Sequence, residues 1–299
     1  MVDALARAEV SSPVPLADAQ AYCLRLAHAH YENFTVLSWL TPRSLRPHRA
    51  AVYAFCRTVD DLGDAAGGDR LALLDRFEDD LDDAFAGRPR GPIFTALGET
   101  IARFDLPREL FARLIEANRI DQRTTRYEAF EDVLRYCEHS ATPVGRLVLM
   151  LHGYRDEERF ALSDATCTAL QLANFWQDVA RDLAIGRIYL PAAEMAAYGV
   201  DEEDLARAEA TERFRQLMRF QVERTRELFA RGLPLVGRVR GLLKVELALF
   251  SRGGLAVLDA IANQDHDTVR ARPTLSDASK RRLIVSSLAG LVIGCRRWI

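Results

Sequence analysis

The sequence predicts an all-α fold, and three features carry that expectation. Alanine and leucine are abundant while runs of β-branched residues are scarce, a balance that favours helix over strand. In two separate stretches the carboxylates recur three and four residues apart, the spacing that gathers side chains on one face of a helix. Nothing resembling a linker interrupts the 299 residues, and a hydrophobic content of 49% is ample for one core. The expectation is therefore a single helical domain over residues 16–299 behind a flexible tail over residues 1–15. That tail has neither a long apolar run nor a basic start, so it reads as neither signal peptide nor anchor.

The elements follow in order. An amphipathic helix runs from Leu16 to about Tyr31, and Glu32-Asn33-Phe34 turns the chain. Thr41-Pro-Arg-Ser44 supplies a break and a cap for the next helix, which ends at Gly67-Gly68. Residues 70–86 keep Leu73, Leu74, Phe77, Leu81 and Phe85 at helical spacing, and their run of aspartates, with no arginine partner in the run, reads as a solvated face. Helices over 92–104 and 107–120 precede a charged turn marked by Arg119, Asp121, Arg123 and Arg126. Ser140-Ala-Thr-Pro143-Val-Gly145 predicts a kink or broken turn within a helical stretch. After Pro191 come a short helix, a turn at Tyr198-Gly-Val-Asp201, and two long helices divided around Gly232-Leu-Pro234. The second reaches about Ala262, Asp267 to Pro273 is a loop, and a last helix begins near Ser276. Its apolar stretch, Leu283 to Cys295, is shorter than the ~20 residues of a membrane span. Basic flanks at Arg281, Arg282, Arg296 and Arg297 fit either a membrane-surface contact or a packed terminal helix.

Composition excludes several functions. The net charge of −3 gives no reason to invoke nucleic acid. The five cysteines form no C-x-x-C pair and read as small side chains in a reducing cytoplasm. The chain has no H-E-x-x-H, no phosphate-binding Walker loop and no G-x-G-x-x-G.

The informative stretches are the two acidic ones. In Tyr53-Ala-Phe-Cys-Arg57-Thr-Val-Asp60-Asp61-Leu-Gly-Asp64, the arginine and three aspartates share one side of a helix with Tyr53, while Ala54, Phe55, Cys56 and Val59 suit a packed wall. Charge beside an apolar wall must be compensated, and divalent cations are one means. In Gln171-Leu-Ala-Asn174-Phe-Trp-Gln-Asp178-Val-Ala-Arg-Asp182, four oxygen-bearing side chains again form one stripe. Carboxylate and amide oxygens are hard ligands suited to Mg²⁺ or Mn²⁺. Two such stripes facing one cavity would hold a diphosphate through those ions.

Tyr53-x-x-Cys56-Arg57-x-x-Asp60-Asp61-x-x-Asp64, Gln171-x-x-Asn174-x-x-x-Asp178-x-x-x-Asp182 and Gly186-Arg187-Ile-Tyr189-Leu-Pro191 together resemble the squalene and phytoene synthase family, over nearly the whole chain. The resemblance implies a class I terpenoid synthase fold with a central apolar cavity, Mg²⁺ or Mn²⁺, and a prenyl diphosphate substrate. It casts Asp60, Asp64, Asp178 and Asp182 as catalytic metal ligands, with Asp61 and Asn174 beside them. Tyr53, Arg57, Arg187 and Tyr189 would hold phosphate oxygens, Gln171 and Asn174 would complete the rim, and Tyr136 would stand near the reacting carbons. Phe34, Phe55 and Phe175 would wall the cavity. His139 reads either as a structural histidine or as a proton carrier.

Where condensing family members carry serines, this chain has Glu32-Asn33. That turn, the Ser140 to Arg146 break and Asn174 to Asp182 are most similar to the bacterial hopanoid-pathway hydroxysqualene synthases. The implied reaction is conversion of presqualene diphosphate to hydroxysqualene without NADPH. Presqualene diphosphate, squalene or phytoene synthase stands as the alternative, and a non-enzymatic assembly factor of the same fold as another; the intact aspartate sets argue against the last. The oligomeric state stays open.

Overall fold

The computed structural model describes residues 14–29, 40–64, 67–276 and 281–283. The Glu32 to Phe34 turn and nearly all of the last helix lie outside them, as does the tail up to residue 13. Every regular element among the described residues is helical. In chain order these are α1 (Leu16–Ala29), α2 (Arg46–Asp64), α3 (Arg70–Phe85), α4 (Gly91–Phe104), α5 (Arg108–Arg123), α6 (Phe130–Ser140) and α7 (Thr142–Leu151). They continue as α8 (Glu157–Gln177), α9 (Val179–Ala184), α10 (Ala192–Ala197), α11 (Glu202–Leu205), α12 (Glu212–Gly232), α13 (Leu235–Arg238) and α14 (Leu242–Asn263). None is long and apolar enough to cross a membrane.

Side-chain caps set several starts. Asp69 accepts from the Ala72 amide at 3.1 Å and opens α3, and Thr211 accepts from the Phe214 amide at 3.3 Å and opens α12. The break expected near Pro143 occurs at Ala141, between α6 and α7.

The helices form two compact units. The first runs to Arg123 and includes Pro143–Asp156. Within it α2 packs against α1, α4, α5 and α3. Its inner face is small and apolar, with Ala50, Ala51, Ala54 and Phe55 fully buried. Phe55 sits 5.1 Å from Phe77 and 5.2 Å from Phe111, ring centre to ring centre. This corrects the expectation that Phe55 walls the cavity: it points to the opposite face of α2 and fills the core. The charged turn expected at Arg119 to Arg123 is instead the last turn of α5. From there Arg119 bonds Asp75 and Glu78 of α3 at 2.6 Å each, and Arg108 bonds Glu78 at 2.8 Å and also Asp82. The acidic run on α3 therefore has arginine partners, supplied by a neighbouring helix that local spacing does not reveal.

The second unit comprises Thr124–Thr142 and Glu157 onward. There α8 packs mainly on α12 and α14. The approach is close because Gly232 has no side chain: a Cβ there would stand 2.2 Å from Thr166 Oγ1 and 2.8 Å from its amide. Fully buried Trp176 donates from Nε1 to Thr225 Oγ1 at 2.8 Å, which fixes the rotation of α8 about its axis.

His48 on α2 shares a 3.0 Å hydrogen bond with Thr100 Oγ1 on α4, and that hydroxyl donates to the Ala96 carbonyl. Burial, reinforced by Arg103, lowers the pKa of His48 below 6.5, so the folded state favours the neutral ring. Below pH 6.5 the unfolded chain takes up the proton first. Stability tied to this ring is thus complete above that pH and is lost as pH falls through the lower folded-state value. His48→Asn should lower the melting temperature at neutral pH and flatten its decline just below pH 6.5, as thermal unfolding across a pH series would reveal.

Candidate active site

The first acidic stripe lies where the sequence places it. On α2, Tyr53, Cys56, Arg57 and Asp61 are half-buried, Asp60 and Asp64 are exposed, and the residues between them are buried. Cys56 departs from expectation: it belongs to the site face and not to the packed wall. Together with Arg49, Val52, Tyr53, Arg57 and Asp60 it lines a cavity of about 150 Å³ in the first unit, closed on the other side by Val144, Val148 and Leu151 of α7. Asp60 and Arg57 lie toward the C-terminal end of that wall, and the remainder is mostly apolar.

Two interactions hold the stripe. Arg57 donates to Asp61 Oδ1 at 2.6 Å, an i, i+4 pair on the helix face. Asn118 of α5, itself buried, donates from Nδ2 to Asp60 Oδ1 at 3.2 Å and to the Leu114 carbonyl at 3.2 Å. Gln122, one turn on, donates to the Gly63 and Asn118 carbonyls at 3.0 and 3.2 Å. Asn118 comes this close because residue 63 is glycine, where a Cβ would meet Asn118 Oδ1 at 2.1 Å. Sequence reading missed Asn118, whose partner is 58 residues away.

The second stripe is interrupted. Helix α8 ends at Gln177, and Asp178 takes the position before α9, with φ −106° and ψ 16°. The register still carries through, because the Asp178 amide donates to the Asn174 carbonyl and the Asp182 amide to the Asp178 carbonyl, both at 2.9 Å. Gln171, Asn174, Asp178 and Asp182 are all solvent-accessible, between buried Leu172, Ala173, Phe175, Trp176 and Val179. The following loop is anchored by Arg126, which donates to the Gly186 carbonyl at 2.7 Å and pairs with Glu202 at 2.6 Å. The Arg187 amide bonds the Asp182 carbonyl at 2.8 Å, which brings Arg187 and Asp182 to the wall of one small pocket in the second unit.

Tyr189 and Tyr136 enter an aromatic cluster. Tyr189 stacks on Phe175 with centroids 3.8 Å apart and planes 7° from parallel, Tyr127 lies 5.6 Å away, and Tyr136 packs 6.0 Å from Phe175. All four rings are largely buried. Tyr127 was not anticipated. On the same face of α6 as Tyr136, His139 Nδ1 and Ser140 Oγ are buried and have no hydrogen-bond partner among the described residues.

Asp178 carries a partner that sequence reading also missed. Arg272, in the loop after α14, donates from Nε to Oδ1 at 2.5 Å and from Nη2 to Oδ2 at 2.9 Å, and bonds Gln177 Oε1 at 3.0 Å. The pair raises the pKa of Arg272, chiefly through the bond to Asp178.

No group of three His, Cys, Asp or Glu side chains converges into a metal cluster among the described residues. Each stripe instead offers aspartates one turn apart, with an asparagine beside them in the second. That donor set suits Mg²⁺, which is commonly held by one or two carboxylates together with substrate phosphates. The guanidinium on Asp178 marks the position as one that takes positive charge.

Residues 27–279 match the family model for squalene/phytoene synthase. A phytoene synthase of Arthrospira platensis is 31% identical over 284 residues, covering 87% of this chain and 89% of its own length. Among solved structures, squalene synthase HpnC from Alicyclobacillus acidocaldarius is 50% identical with a TM-score of 0.81, over 86% of this chain and 97% of that one. A dehydrosqualene synthase solved in complex with a ligand is 24% identical with a TM-score of 0.84, over 93% and 98% of the two chains, and shares the fold.

Two measurements test this geometry. Gly63→Ala should cost about 1–3 kcal/mol by overpacking against Asn118. In the double variant with Asn118→Ala that cost should shrink, so additive losses in a denaturant cycle would show that the two positions do not couple. Arg272→Gln strips Asp178 of its internal cation. Mn²⁺ affinity without substrate, read by electron paramagnetic resonance, should then rise by about three- to tenfold.

Proposed function

From the premise that this chain belongs to the squalene/phytoene synthase family, we propose that it converts presqualene diphosphate to hydroxysqualene, with Mg²⁺ and without NADPH. The observation that carries water capture over reduction is the pair of buried polar atoms on α6, His139 Nδ1 and Ser140 Oγ, which have no hydrogen-bond partner among the described residues. A polar pair of this kind is suited to holding a water.

Asp60 and Asp64, with Asp61 at their side, and Asn174, Asp178 and Asp182 would hold the ions. Bound there, Mg²⁺ supplies neutralisation of the departing diphosphate. Arg57 and Arg187 would grip phosphate oxygens, for which the planar guanidinium is well shaped, with Tyr53 and Gln171 at the rim. The carbon–oxygen bond to diphosphate breaks and leaves a cyclopropylcarbinyl cation. Apolar walls exclude bulk water while it rearranges, and the faces of Phe175, Tyr189 and Tyr136 attract positive charge. A water held by Ser140 then forms the new carbon–oxygen bond, and His139 Nδ1 takes its proton. Phe34, outside the described residues, keeps its proposed place in the wall.

The name of the 50% identical neighbour favours a second reading, direct formation of squalene. Reductant separates the two. Under the proposal, presqualene diphosphate with Mg²⁺ in ¹⁸O-water gives a labelled alcohol, equally well with or without NADPH. NADPH-dependent squalene, or efficient use of farnesyl diphosphate alone, would overturn it. Asp60→Asn and Asp178→Asn should each cut turnover by about a hundredfold or more while circular dichroism stays helical. The proposed setting is the cytoplasm, with a membrane-surface contact through the basic residues near the C-terminus serving a lipid-soluble substrate and product.

A further inference from the structure

We propose that Arg49 is a specificity-determining residue that closes the inner end of a prenyl-chain channel and limits the chain it admits to farnesyl length. The inference rests on the reading of the site as one for a prenyl diphosphate, but not on the fate of the cation.

Arg49 is 1% exposed, yet it lines the cavity of the first unit. Its Nη1 donates to the hydroxyl of buried Thr41 at 3.2 Å, and Arg46 donates to the Thr41 carbonyl at 3.1 Å, so the guanidinium is held by the turn that precedes its own helix. Arg49, Tyr53 and Arg57 follow at i, i+4 and i+8, which extends the site face of α2 one turn beyond the tyrosine. The rise of an α-helix separates residues 49 and 60 by about 16 Å. Between the two ends the wall is Val52, Tyr53, Cys56, Val144, Val148 and Leu151.

This arrangement has a direction. Phosphate-directed and ion-directed groups stand at one end, an apolar wall follows, and a buried cation stands at the other. An isoprenoid tail entering from the Asp60 end meets surface that favours it until it reaches the guanidinium. One more isoprene unit would pack methyl groups against a polar guanidinium surface, which favours them less than the apolar wall does. Arginine is therefore a polar stop where a leucine would be a continuation of the wall.

The test is calorimetric titration with farnesyl and geranylgeranyl thiolodiphosphates in Mg²⁺, analogues that bind without ionising. Wild-type protein should bind the farnesyl analogue about tenfold or more tightly than the geranylgeranyl one. Arg49→Met should bring the two within about threefold, and Arg49→Lys should retain the preference. Equal binding of both analogues by the wild type, binding of neither, or an undiminished preference in Arg49→Met would overturn the proposal. Should Arg49→Met lose its cooperative melt, Arg49→Gln takes its place, and the wild-type comparison stands regardless. A clear farnesyl preference in a protein that makes no hydroxysqualene would defeat the proposed reaction alone.

Discussion

A carboxylate on the rim of a packed helix has to be compensated, because the same packing that orients it removes part of its water. In both units a residue distant in sequence meets that requirement. Asn118 reaches Asp60 only because α5 can approach Gly63, and Arg272 reaches Asp178 from a loop held in place by Arg215, which bonds the Asp265 carbonyl at 2.7 Å and its carboxylate at 2.8 Å. The core serves these contacts in turn. The phenylalanines around Phe55 set the face that α2 turns outward, and the Trp176 bond to Thr225 does the same for α8.

The chemistry fits a reaction in which the protein forms no covalent bond to substrate. Both stripes present oxygen donors, arginines stand beside each, and the rings nearest the second stripe are stacked and largely buried. Among the described residues, Cys56 is the thiol that lines the cavity; Cys137 is fully buried, and burial pushes its pKa well up, so it stays protonated and inert. Loss of the acidic residues would be tolerable in a non-catalytic assembly factor. Here each aspartate of the two sets is present, and Asp60, Asp61 and Asp178 are held by specific side-chain bonds.

Much of this was legible from periodicity, because an amphipathic helix writes its buried face into local spacing. The helix class and the two acidic stripes each rest on spacing within a few helical turns. What stayed hidden depends on what another helix brings. Phe55 looks equally suited to a cavity and to a core until Phe77 and Phe111 are placed beside it, and the aspartates of α3 look unpaired until α5 supplies Arg108 and Arg119. The break at Asp178 leaves no proline or glycine signal, and its hydrogen bonds preserve the register that the spacing shows. Arg49 lies on the stripe but one turn before the motif, among residues with no acidic neighbour to mark them.

The two stripes differ in the kind of compensation they carry. Asp60 is held by a neutral amide, which orients the carboxylate and leaves its charge in place. Asp178 is held by a guanidinium through both oxygens, in a pair whose side chains are about one-fifth exposed. At an effective dielectric near 20, two unit charges about 4 Å apart attract by about 4 kcal/mol, so neither member of such a pair separates freely. A metal ion alone would offer Asp178 a new partner and leave Arg272 with only the neutral Gln177 amide oxygen; a diphosphate alone would leave Asp178 with only Arg181, at 3.6 Å. A ligand that brings cation and anion together gives each member a replacement at once. Under the proposed function, the pair at Asp178 and Arg272 would suit a metal-bound diphosphate better than either component by itself.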